Sequence, residues 1–259
     1  MDARTAEQCR AVQAVEFGRG FTLADHVIFE DEYLVAVSKP AGMYVQSGAV
    51  LHAGVYDLQT HVATLHPEWK MMHRIDRDTS GLVLFAKTPR SCVALTKIFK
   101  SRKLIKEYCC LCELSPEKKL ESLTHREDWI DKSIVTGFGR VSPGAFGVFE
   151  IGEIGERKGK GQSIVDAETL ISLEFIDSED ECAGFRVWPK TGRTHQIRVH
   201  MKHLGLPIRG DLRYASGTSF SKAESFPFHF LHAHSLKFQH PFTKVMLNLV
   251  AKPPSWWKK

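Results

Sequence analysis

What these 259 residues lack narrows them before what they contain. Nowhere do 18 apolar residues run together, so no segment is expected to cross a bilayer as a helix. The opening MDARTAEQCRAVQ has an acid at position 2 and no apolar core, which argues against a secretory signal. Six cysteines occur, and without a sign of secretion they read as reduced thiols of a cytoplasmic protein. Cys109 and Cys112 form a C-x-x-C, but no second Cys/His pair stands at finger spacing, so buried strand thiols are expected rather than a zinc or redox site. A Gly-rich phosphate loop and a D-F-G are both missing, and Gly81 stands where a kinase loop beginning HRID needs Asn. H-E-x-x-H is also absent. His200 and His203 share one helical face, whereas His195 and His200 do not, and His232 and His234 alternate as on a strand.

The chain is long enough for a proper core, with 43% hydrophobic and 25% charged residues. A net charge of +5 is mild, and its distribution says more. Lys87 to Lys106 holds seven Lys or Arg and no acid; Arg186 to Arg213 holds seven more against Asp211 alone. The acids gather between Glu113 and Asp131 and between Glu150 and Glu181. Two basic stretches suit a polyanion groove if the fold joins them; solvated helix faces are the plainer alternative.

HVIFEDEYLVAVSKPAG reads as two strands about the turn Glu30-Asp31-Glu32, ended by Pro40 and Gly42. Ala94, Leu95, Ile98 and Phe99 recur at helical spacing over residues 90–102. KLIKEYCCLCEL alternates as a strand, and AETLISLEF and GFRVW read as strands too. Eight glycines in residues 137–163 predict a loop or irregular hairpin excursion, not a core element. TGRTHQIRVHMKHLG reads as a helix capped by Thr191 or Thr194, stopped by Gly205, with Ile197, Met201 and Leu204 as its buried stripe. LHAHSLKFQHPFTKVMLNLVAKPP reads as two strands about HPFTK. Strands in runs with few helices between them predict α+β: a mixed, mainly antiparallel central sheet with flanking helices. A short leader, residues 1–24, then one domain over residues 25–259, is the simplest organisation.

MMHRIDRDTSGLVLFAKT is the densest stretch. His73, Arg74, Asp76, Arg77 and Asp78 press against the apolar run Leu82 to Ala86, and charge beside a buried strand is costly unless paired. Taken alone, Asp76 reads most simply as a turn cap. Yet HRIDRDTSGLVLFAKT, KEYCCLC, PKTGRTHQIRVHMKHLGLPIRGDLRY and LHAHSLKFQHPFT resemble, in order, the catalytic motifs of the RluA-type pseudouridine synthases. VIFEDEYLVAVSKPAGMYV resembles that family's opening strand pair, and the likeness spans about residues 25–253. The leader is too short for the S4-type RNA-binding domain of many members, and the Gly-rich excursion has no fixed counterpart.

The resemblance implies uridine-to-pseudouridine isomerisation within RNA: N1–C1′ breaks, the base turns, and C5 bonds to C1′, with no cofactor. It implies Asp76 as the catalytic carboxylate, with attack on the sugar, attack on the base or removal of a C2′ proton all open to it. Arg198 would hold that carboxylate in its fork and keep it ionised. Tyr108 would stack on the uracil with its hydroxyl near the C5 proton. Arg74 would fill the gap left by the flipped base. Thr79, Ser80 and Gly81 would shape the loop beneath Asp76. Lys39, Lys87, Arg193, His195 and Lys202 complete the expected RNA-binding set. The partner would be tRNA or rRNA, met by a monomer with no membrane attachment. A non-catalytic RNA-binding protein on the same scaffold should have lost Asp76, Tyr108 or Arg198, and a zinc hydrolase would need bound metal. Because no ligand set has metal spacing, pseudouridine formation should survive exhaustive EDTA treatment. Loss that added zinc restores would return Cys109, Cys112, His200 and His203 to candidacy.

Overall fold

The computed structural model describes residues 20–46, 57–114, 123, 125–158, 162–215 and 226–257. Most of the expected leader lies outside these residues. The chain divides into two compact units: Met1–Lys106 with Leu231–Pro254, and Glu107–Phe230 with Ser255–Lys259. No composition shift marks the division, which falls at Lys106, inside a strand, and at Phe230.

In the first unit, helix α1 (Leu23–His26) leads into strands β1 (Val27–Glu30) and β2 (Leu34–Lys39). Helix α2 (Leu58–Leu65) and the short β3 (Lys70–Met71) precede β4 (Ser80–Ala86) and helix α3 (Pro89–Lys100). β12 (Leu231–Gln239) and β13 (Met246–Val250) return from the far end of the sequence. The strands run in the order β1-β2-β4-β12, with β13 on β12. β1, β2, β3 and β13 pair antiparallel with their neighbours, while β4 and β12 are parallel, so the sheet is mixed.

Both faces of β2 and β4 are buried, which explains why they read as unbroken apolar runs instead of alternating ones. Val35, Val37, Val83 and Phe85 pack with Met43, Leu58, Val62 and Trp69 on one side. Leu34, Ala36, Leu82, Leu84 and Ala86 pack with Leu95 of α3 and with Leu236, Phe238 and Leu249 on the other. At roughly 1.5–3 kcal/mol for each large apolar side chain removed from water, these two layers hold the unit together. α3 begins at a capping box: Ser91 N–H donates to the Thr88 hydroxyl and Thr88 N–H to that of Ser91, both at 3.0 Å.

The second unit is antiparallel throughout, in the order β5-β11-β10-β6-β7. These strands are β5 (Ile105–Glu113), β6 (Lys132–Ser142), β7 (Ala145–Phe149), β10 (Val165–Asp177) and β11 (Cys182–Pro189). A two-residue pair, β8 (Arg157–Lys158) and β9 (Gln162–Ser163), joins β7 to β10. The glycine-rich stretch takes the irregular-hairpin form of that expectation, but against it part of the stretch belongs to the core. Its first half continues β6 and turns back as β7, with Phe138 buried. Gly137 is tolerated in the strand because a Cβ there would meet the Glu150 carbonyl at 2.9 Å.

Helix α4 (Gln196–His203) corrects two expectations. Its N-cap is His195, at φ 60° and without a side-chain cap bond, not Thr191 or Thr194. Thr191 is occupied elsewhere: it accepts from Glu168 N–H at 2.9 Å and donates to Gln196 Oε1 at 2.7 Å. The burial is also wider than one stripe, taking in Gln196, Arg198 and His200 beside Ile197, Val199 and Met201. Gly205, at φ 70°, stops the helix as expected.

Gly81 pairs with Ala233 at the point where β12 meets β4. It sits at φ 108°, and a Cβ there would lie 2.2 Å from the Ala233 carbonyl oxygen. Gly81→Ala should therefore cost at least about 3 kcal/mol, from backbone strain and backbone overlap together. A urea midpoint equal to that of the wild type would contradict this account.

Candidate active site

The Asp76 loop leaves and re-enters β4 along one edge. β3 occupies that edge opposite Phe85 and Ala86, and Met72 N–H donates to the Leu84 carbonyl at 2.9 Å. His73 then takes the place of a strand partner: its Nε2 accepts the Leu84 N–H at 3.2 Å while its ring stacks on Phe99. Loss of water around the ring, with the Lys106 charge, pushes the His73 pKa down to about 3, so the accepting imidazole is neutral. Residues 74–79 form the turn, in which Thr79 N–H donates to the Asp76 carbonyl at 3.2 Å. β12 takes up the same edge at Ser80 and Gly81. Ser80 Oγ lies 2.8 Å from His232 Nδ1; burial holds His232 down near 4, while its Ala251 contact works the other way. Asp76 is half-buried and Arg74 exposed. Arg77 grips its neighbour Asp78 at 2.7 Å and reaches the Tyr44 hydroxyl at 3.4 Å.

Lys39 does not face solvent, and its expected phosphate contact is a correction. The side chain is 1% exposed, and its ammonium donates to the carbonyls of Pro40, Met43 and Arg77 at 2.8, 2.8 and 2.9 Å. An ammonium has three N–H groups, and these three acceptors use them all. Lys87 is also reassigned. It donates to Glu30 at 2.6 Å and to the Asp31 carbonyl at 2.8 Å, and it follows the opposite end of β4 from Asp76. A seven-residue strand separates the two by roughly 20 Å.

In the second unit, Arg198 is buried on α4 and its fork holds Asp211: Nε to Oδ2 at 2.7 Å and Nη2 to Oδ1 at 2.8 Å. Asp211 also accepts from the Arg213 and Tyr214 amides at 3.1 and 3.2 Å, and the Tyr214 ring lies 5.0 Å from the Arg198 guanidinium. Burial by itself raises the Asp211 pKa, but the charge and hydrogen bonds of Arg198 outweigh it and hold the carboxyl down at about 2. The Tyr214 hydroxyl lies 2.8 Å from His195 Nδ1 and accepts from Phe146 N–H at 3.2 Å. His200, fully buried, bridges Thr169 of β10 at 2.8 Å and Thr136 of β6 at 3.1 Å, and burial with the nearby His203 lowers it to about 4. Tyr108 is half-buried on β5 opposite Val187.

Residues 33–203 match the model of the RNA pseudouridylate synthases. The chain belongs to that family. RNA pseudouridine synthase 1 of Arabidopsis thaliana is 30% identical over 98% of this chain and 83% of its own length. Ribosomal large subunit pseudouridine synthase C of Buchnera aphidicola is 31% identical over 91% of this chain and 69% of its own. In fold, the chain is similar to human RNA pseudouridylate synthase domain containing 1, with TM-score 0.67 at 21% identity over 88% of this chain and 83% of that one. Human RNA pseudouridylate synthase domain containing 4 gives 0.64 at 22% identity over 95% and 94%.

As an RNA pseudouridine synthase the protein isomerises uridine within RNA. The reaction is redox-neutral, so the side chains have to supply charge, proton transfer and grip on the RNA. For that grip, the second basic stretch is less available than its sequence suggests. Arg186 pairs with Glu107 and Glu174, Arg193 with Asp166, Arg198 with Asp211, and Arg209 with Glu113 and Asp180. Four of these acids, Glu113, Asp166, Glu174 and Asp180, come from the stretches that looked segregated in sequence. Arg193 also donates to the Asp166 carbonyl at 2.8 Å, whereas Lys202 is exposed on α4. Asp211 was missed, although the run IRGD places an acid in the basic stretch and was the available signal. The paired state of Asp211 contributes stability above its ordinary pKa of 3.8, and that contribution is lost as pH falls toward about 2. Asp211→Asn should therefore cost about 3–5 kcal/mol at neutral pH, with roughly 2 kcal/mol of it titrating away between pH 4 and 2. Urea unfolding of both proteins across that range measures it, and a pH-independent difference would remove the ion pair as the cause.

Proposed function

We propose that Asp76 is the catalytic carboxylate of this pseudouridine synthase and acts at the sugar of the target uridine. The observation that carries this is the built character of its loop. His73, β3 and β12 fix both flanks of the turn to one strand edge, and Lys39 and Gly42 N–H converge on the carbonyl of the next residue, Arg77. A surface turn capped by an ordinary aspartate has no need of so many anchors. Tyr108 is assigned to stack on the uracil and Arg198 to supply the guanidinium of the site. Arg74, exposed on the same loop as Asp76, is assigned the space left by the flipped base. His195 and Lys202 are assigned to the RNA chain.

The substrate proposed is a uridine in structured tRNA or rRNA. Ribosomal RNA is the first to test, because the Buchnera relative carries a ribosomal large-subunit name. A monomer in the cytoplasm is the setting proposed; the five described cysteines, all free thiols, agree with a reducing compartment and do not bear on the oligomeric state.

Asp76→Asn should abolish pseudouridine formation and leave RNA affinity within a few-fold of the wild type. Mapping pseudouridines in total RNA with and without the gene, then assaying the variant on the RNA so found, tests both parts. Product from an Asn variant shown by mass spectrometry to be free of deamidated Asp would end the assignment.

A further inference from the structure

The structure commits the early cations of the first basic stretch. Lys87 is bonded to Glu30 and Asp31, and the Arg90 guanidinium lies 4.8 Å from the Phe242 ring. Lys97 and Lys100 sit in the last turn of α3, where the helix dipole favours positive charge. Arg102, Lys103 and Lys106 follow, on the way from α3 into β5. Arg102 stands in that turn at φ 55°, a left-handed conformation that residues other than glycine rarely adopt. Lys106, on β5, is the odd member. Its side chain is half-buried, yet among the described residues it has no carboxylate and no hydrogen-bond acceptor. Buried charge is ordinarily paired, and this one is not.

The charge that acts on Lys106 is Arg102, another cation. Burial lowers the Lys106 pKa, and the Arg102 charge lowers it further. Lys106 acts in turn on the ring of His73, three residues before Asp76. His73 accepts the Leu84 N–H at Nε2, so the proton of its neutral ring is on Nδ1. That N–H likewise has no acceptor among the described residues. We propose that Arg102, Lys106 and the His73 Nδ1–H hold one phosphate group of the RNA substrate. A phosphate only accepts hydrogen bonds, brings the negative charge that Lys106 lacks, and has enough lone pairs for three donors. The inference rests on RNA as the substrate and is independent of the role given to Asp76.

The test compares the wild type, Arg102→Met, Lys106→Met and the double variant on a synthetic RNA carrying the uridine found by mapping. Affinity is measured against salt, beside kcat and the urea midpoint at pH 7. Each single variant should bind about tenfold more weakly, the scale of one charge-assisted hydrogen bond. The double variant should lose about 0.7 from the slope of log K against log[salt], the share of one phosphate on a single strand. Replacing phosphates one at a time by uncharged methylphosphonate should find a position that weakens the wild type and leaves the double variant unchanged. Stability should move the other way from binding. Lys106 gives up hydration without gaining a partner, so Lys106→Met should keep or raise the urea midpoint. Wild-type affinity in Lys106→Met, a lowered midpoint, or a loss confined to kcat overturns the proposal. So does a methylphosphonate series in which every position weakens the wild type and the double variant alike. No variant at Asp76 enters the comparison, so the catalytic reading and this one fail separately.

Discussion

Strand β4 is covered on both faces and bonded along both edges, and the rest of the first unit takes its place from that confinement. β2 runs along one edge from Gly81 to Ala86. The other edge is shared by β3, His73 and β12 in succession. Because side chains alternate, a one-residue slip of β4 would exchange Val83 and Phe85 with Leu82 and Leu84 between two packed layers. The register is therefore held by packing on both sides. The short polar loop between β3 and β4 inherits that rigidity, so a charged turn can be placed with the accuracy of a core strand.

Charge in this protein is settled by specific partners more than by overall balance. Arg198–Asp211 and Arg209–Glu113 are buried two-bond pairs, a geometry that a planar guanidinium forms and a lysine cannot. Pairs of this kind add little net stability over an apolar replacement, but they fix direction, and breaking one strands its partner. The half-exposed Arg193–Asp166 pair belongs to the weaker surface class. What remains to meet a polyanion is thus a smaller set of cations than the sequence count implies, and one whose members the fold selects.

The regular elements were legible because period and punctuation are local. The two strands around Glu30-Asp31-Glu32, the helix over Leu95 and Ile98, and the terminal hairpin around HPFTK all stand where apolar spacing put them. The family was legible because four motifs occur in order. Other features depend on information that a linear reading does not carry. Lys39 is bound by backbone carbonyls, which every residue has, so no residue type announced its burial. Arg186 and Arg209 find carboxylates 79 and 96 positions away. The cap of α4 failed as an expectation because His195 takes a left-handed backbone conformation in which no side-chain cap bond forms, while Thr191 was already committed to Glu168 and Gln196. The glycines of residues 137–149 left loop and hairpin both open because close backbone approach in a sheet and freedom in a loop call for the same residue.

The parallel contact of β4 with β12 also sets an order in time. Ser80 and Gly81 leave the ribosome about 150 residues before His232 and Ala233, their partners. At roughly 5–20 residues per second that is a wait of about 8–30 seconds. Throughout it, one end of an apolar strand has an unpaired edge, the kind of surface that captures strands from other chains. The intervening residues, 107–230, make up most of a unit with its own antiparallel sheet, so the later part of the chain can fold while the earlier part is still open. The aspartate loop thus gains its last support only when residues 231–250 have been added.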